Sequence, residues 1–120
     1  MSLEKENSLN AVLKNIANIA GVERVAIISR GGLVIVSSDE GLESSAAMAA
    51  TIRGAAETLT IESGIDLPTS VVITTISHKI SITGAGSKAL LIVQYSFGVN
   101  PEVVQNEIYK ATPKLKTILE

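Results

Sequence analysis

The sequence predicts an α/β fold: a three-layer α-β-α sandwich, with helices on both faces of one five-stranded antiparallel sheet. Three observations carry this expectation. Apolar residues recur at the helical period in three stretches and as short strand-like runs in five, in the order α-β-β-α-β-β-β-α. Consecutive strands are joined by turns too short for parallel crossovers, so neighbours must be antiparallel. Two strands, Arg24–Ser29 and Leu90–Tyr95, are apolar at both parities, the pattern of a strand covered on both faces.

Taken in order, the first helix is expected over about residues 4–20. Leu9, Val12, Leu13, Ile16 and Ile19 or Ala20 form its apolar stripe, and Gly21 suits a left-handed C-terminal turn. RVAIIS and LVIVS, split by Arg30-Gly31-Gly32, read as a hairpin. A long helix follows from Glu43 to Glu62, with Asp39 or Ser44 as its cap. After Ser63-Gly64 and Asp66-Leu67-Pro68 come three strands, Ser70–Ile76, Lys79–Thr83 and Leu90–Tyr95. In the second of these Ile80 and Ile82 should point inward and Ser81 and Thr83 outward. The last helix opens at Asn100-Pro101-Glu102, a cap, a first-turn proline and a dipole-matched acid, and Pro113 should kink or restart it.

A chain of 120 residues should fold as a single domain over 1–120. Hydrophobic residues make up 46% and aromatic residues only 2%, so the core must be aliphatic. Scarce aromatics remove the stacking platforms of single-strand binders, and a net charge of −2 offers no field for phosphate backbones, so nucleic acid is not an expected partner. Cysteine is absent, which excludes disulfides and thiolate metal sites and fits a reducing compartment, the cytoplasm. MSLEKENSL lacks the apolar run of a signal peptide, and the longest purely apolar run, Ala89–Val93, is far short of a membrane span.

The long central helix has two distinct sides. Met48, Ile52, Ala55 and Leu59 fall on one stripe, expected to face the sheet. The other side carries Ala46, Ala47, Ala50 and Gly54, with charge only at Glu43, Arg53 and Glu57. Small residues let another backbone approach closely, so this side is expected to meet a second molecule.

Motifs of chemistry are few. Gly84-Ala85-Gly86-Ser87-Lys88 has phosphate-loop glycines, but Ser87 intervenes before Lys88 and the segment enters a strand, so it reads as a β-turn. His78 is the only histidine, with no cysteine or carboxylate cluster to make a metal site, and reads as a solvated turn residue. Ser87 lacks a nucleophile elbow. No cofactor, metal or catalytic residue is expected, and hence no enzyme. Arg30, on the exposed hairpin tip, reads first as a solvated turn residue, with contact to a partner's phosphate, as arginines supplied in trans make in GTP hydrolysis, as the alternative.

Four stretches together resemble the Roadblock or dynein light-chain domain family: RVAIISRGGLVIVS, the alanine-rich SSAAMAATIRGAAETL, VVITTISHKISITGAGSKALLIVQY, and the closing helix from Pro101. The family's usual Asp-Gly hairpin turn is replaced here by Gly31-Gly32. The resemblance implies a profilin-like sheet with the middle helix on one side and the terminal helices on the other. It also implies a homodimer in which middle helices pack together and third strands pair edge to edge. On that basis Ala46, Ala47, Ala50, Arg53, Gly54 and Glu57 of the helix, with Val71, Val72, Ile73, Thr74 and Thr75 of the strand, are the expected dimer contacts. The function implied is a non-catalytic module that binds a small Ras-like GTPase and regulates its nucleotide cycle. The alternatives are a light-chain or scaffold subunit without effect on hydrolysis, and a small-molecule sensor.

Overall fold

An inner strand of the sheet is closed on both faces over four consecutive residues. Val25, Ala26, Ile27 and Ile28 of β1 (Val22–Ser29) are each no more than 3% exposed, as its two-parity apolar sequence requires. The computed structural model describes residues 1–120 throughout. β1 is flanked by β2 (Val34–Ser37) and β5 (Ala89–Ser96), followed outward by β4 (His78–Ala85) and β3 (Ser70–Thr74), giving the order β2-β1-β5-β4-β3. Every pairing is antiparallel.

Side-chain alternation divides the core in two. Val25 and Ile27 join Leu91 and Val93 beneath α1 (Leu3–Ala17) and α3 (Pro101–Leu119), in a cluster of 17 buried residues. Ala26 and Ile28 join Ile82 and Leu90 beneath α2 (Glu43–Glu62), in a cluster of only 7. One helix covers less sheet than two, so the face under α2 is only partly closed.

Local chemistry sets most of the boundaries. The Ser2 hydroxyl caps α1 by accepting from the Lys5 amide at 3.1 Å, and Asn100 caps α3 from the Glu102 amide at 3.0 Å. α2 departs from expectation, because Leu42 holds the cap position and makes no side-chain bond there. Leu42 is buried in the smaller cluster, so packing of this residue fixes the helix entry where Asp39 or Ser44 was expected to cap it. α1 ends at Ala17, before its expected limit. Pro113 does not end or restart α3, which continues to Leu119; Pro113 lies on the exposed side, where the carbonyl that loses its amide partner is open to solvent rather than buried in the core.

Two further residues correct the sequence reading. Ser81 and Thr83, expected to face solvent, are 2% and 6% exposed. They lie on the same side of β4 as α3, which reaches over that strand, and their hydroxyls find no partner. Gly21 is required by the turn into β1: its φ is +92°, and an added Cβ would overlap the Val99 side chain. Gly21→Ala is therefore expected to destabilise the fold by about 1–3 kcal/mol from backbone strain alone, read as a lower denaturant midpoint.

Candidate protein-interaction surface

The sequence of α2 offers a large apolar stripe and a small one, and the sheet takes the small one. Ala46 and Ala49 are 1% and 6% exposed against the sheet, and Arg53 continues that stripe at 4%. Met48, Ile52 and Leu59, expected to be core, are 59%, 37% and 65% exposed. The reason is the floor beneath. Ile28, Ile82 and Leu90 already fill this face of the sheet, so a helix lying on them must present small side chains. The first hairpin makes the same demand, since a Cβ on Gly32 would stand 3.0 Å from the Ala47 Cα. Close approach by small residues is real here, but the approaching backbone belongs to the same chain.

The expected contact residues are redistributed accordingly. Ala46 and Arg53 are buried inside the protomer, and Ala50 is half-buried against the smaller cluster, so Ala46 and Arg53 belong to the chain's own core and Ala50 lies at its margin. Ala47 and Gly54 are exposed and Glu57 is half-buried. In β3, Val71 and Ile73 are half-buried, paired with Ile82 and Ile80 on the α2 side, whereas Val72, Thr74 and Thr75 are exposed.

What remains open is an apolar groove of about 220 Å³ between α2 and the sheet. Met48 and Ile52 form its helical wall, and Ile73, Ile80 and Ile92 its floor, with Arg24 and Gln94 also lining it. Beside it runs an unpaired edge, because β3 has β4 as its only neighbour. The Gly84 amide donates to the Thr69 carbonyl at 3.2 Å and the Thr75 amide to the His78 carbonyl at 2.8 Å. Antiparallel alternation then assigns the odd-numbered residues of β3 to the β4 ladder. The backbone groups of Val72 and Thr74 point outward, free to pair. An apolar groove beside an open strand edge is the kind of surface that monomers rarely leave uncovered.

The polar candidates are tied down within the chain. Arg30 does not extend into solvent from the hairpin tip. Its Nη1 lies 3.3 Å from the Glu57 carboxylate and its Nη2 donates to the Gly86 carbonyl at 2.9 Å. His78, expected in a solvated turn, begins β4 and bridges Glu23 at 3.0 Å and the Ser77 hydroxyl at 2.6 Å. Hydrogen bonds from His78 and then Gln94 hold the Glu23 carboxyl below its ordinary value. No group of three or more His, Cys, Asp or Glu is brought together that could hold a metal ion, and no helix is long and apolar enough to cross a membrane.

The sequence profile of the Roadblock/LC7 domain family matches residues 9–95. Among solved structures, MglB of Myxococcus xanthus superposes with a TM-score of 0.90 at 22% identity, over 99% of this chain and 92% of that one. An MglB in a tetrameric arrangement gives 0.90 at 18%, over 98% and 92%. Profilin IA of Acanthamoeba castellanii gives 0.63 at 18%, over 93% and 96%, so the profilin-like layering extends beyond the family. No curated protein sequence matches the chain.

Proposed function

The chain belongs to the Roadblock/LC7 domain family, and on that footing we propose that it is a non-catalytic, homodimeric binding module of the cytoplasm that engages a small Ras-like GTPase and regulates its nucleotide cycle. The observation that carries the dimer is the apolar groove under α2 lying beside the unpaired edge of β3. A second copy supplies both complements at once: an apolar helix face for the groove and a strand edge for the edge. The association contacts are Met48, Ile52 and Ile73 with the outward backbone of Val72 and Thr74, joined at the rim by Ala47, Gly54 and Thr75. An interface of ordinary size buries about 1,200–2,000 Å² in total. The MglB relative in a tetrameric arrangement supports self-association as a habit of the fold.

The GTPase reading rests on the family. Arg30 is held by Glu57 and Gly86, so an arginine supplied in trans is not the favoured mechanism. Regulation then proceeds by positioning the GTPase's own residues, which needs a rigid platform and no chemistry from this chain.

The test is titration of the purified protein against small GTPases of the same genome, loaded with GDP or with a GTP analogue, followed by a hydrolysis assay. Binding that depends on nucleotide state, with altered turnover, is the expected result. Binding with unchanged turnover would replace this reading with a scaffold or light-chain role. No binding in any nucleotide state would overturn it.

A further inference from the structure

We propose that Arg53 is the positioning residue of the association surface, fixing the free edge of β3 relative to the open face of α2; the inference rests on the homodimer reading and says how that surface is kept in register. Arg53 is 4% exposed and occupies a stripe otherwise built of alanine. Its Nη1 donates to the carbonyls of Thr69 at 3.0 Å and Ile82 at 3.4 Å, and its Nη2 donates to that of Pro68. One guidinium fork thus ties α2 to the entry of β3 and to β4. Guanidinium geometry suits this, because several donors sit in one rigid plane.

The rest of the connection is lightly held. Ile65, Asp66 and Leu67 are exposed, and no residue of β3 is fully buried. β3 has one neighbouring strand. Such a segment opens easily unless something specific pins it. Space for the fork comes from Gly84, where a Cβ would stand 3.0 Å from the Arg53 Nη2 and 3.4 Å from that of Arg30. Burial draws the Arg53 pKa down, with Glu57 opposing that shift and Arg30 adding to it. A buried cation whose nearby carboxylate is engaged by Arg30 is costly, and an apolar residue would fill the stripe at less cost. Placing the strand edge is a function that outweighs the cost.

The test compares Arg53→Met, Arg53→Lys and Gly84→Ala by amide hydrogen exchange, resolved by strand, and by sedimentation equilibrium. Exchange is measured in an Ile52→Asp background as well, so that loss of a partner copy cannot mimic loss of the clamp. Arg53→Met is expected to speed exchange at the β4-paired amides of Val71, Ile73 and Thr75 by about 10- to 100-fold, leaving β1 and β5 unchanged. In the otherwise unaltered protein it should weaken self-association by about tenfold, although Arg53 lies out of a partner's reach. Arg53→Lys should recover part of both, since an ammonium still donates but lacks the fork. Gly84→Ala should reproduce the β3-selective change and keeps the inference testable if Arg53→Met does not fold. Unchanged β3 exchange, or an equal rise in all strands, would overturn the proposal. A parent protein that stays monomeric would overturn the dimer reading instead, and the exchange pattern would still decide the clamp.

Discussion

Ile52→Asp is expected to give a folded chain that no longer self-associates. Ile52 is 37% exposed in the single chain, so its carboxylate can turn to water and the monomer fold should change by no more than about 0.5 kcal/mol. In the proposed dimer the same position lies in the apolar groove with Met48, Ile73 and Ile80, and the cation lining that groove, Arg24, is already paired with Asp39 at 4.0 Å. An unpaired charge there costs about 3 kcal/mol or more, and a twofold interface incurs that cost twice. Association should weaken by at least about 100-fold. Sedimentation equilibrium reads the loss, and a denaturation curve confirms the fold. A variant as oligomeric as its parent would show that the groove is not the contact. Gly54→Lys should leave the single chain folded, because no atom of the chain lies within 4 Å of where a Cβ would stand.

The order of elements and the layering follow from local signals: two strands apolar at both parities, glycine-marked turns, and the cap at Asn100. The facing of α2 does not follow in the same way. Its wheel has two stripes compatible with burial, and the choice between them depends on the volume of the surface below, a property of strands distant in sequence. Ile28, Ile82 and Leu90 come together only when the sheet forms, and together they leave room for alanine and not for Met48 or Leu59. Hydrophobicity alone selects the larger stripe, which is the one a partner needs exposed. Arg53 was hidden for a related reason. On the helical wheel it falls with Ala46, Ala50 and Gly54 on the side expected to meet a partner, and its matching signal, Gly84, reads as a turn residue, although it lies inside β4. Ser81 and Thr83 look like the wet side of an alternating strand until α3 is laid across them.

Val72→Pro is expected to separate the two halves of the association surface. The ladder between β3 and β4 is made by the odd-numbered residues of β3, so the Val72 amide is an outward donor and its removal costs no bond within the chain. Proline is tolerated on an edge strand in that orientation, and the preceding Val71 is already extended, as a residue before proline should be. The Val72 side chain is 49% exposed, so little packing is lost. The folded chain should therefore survive with a small loss of stability, while edge-to-edge pairing loses its central donor and meets a proline ring in its path. Association should fall by about 100-fold or more, the equivalent of about 3 kcal/mol. Val71→Pro is the matched comparison. It sits one residue away but removes a donor of the β4 ladder, so it should disrupt β3 itself and lower stability as well as association. If Val72→Pro dimerises like its parent while Ile52→Asp does not, the copies meet through the helix groove alone and the strand edge is free for a different chain. If both variants are monomeric, helix face and strand edge act as one surface, which is the arrangement that would make a clamp such as Arg53 necessary.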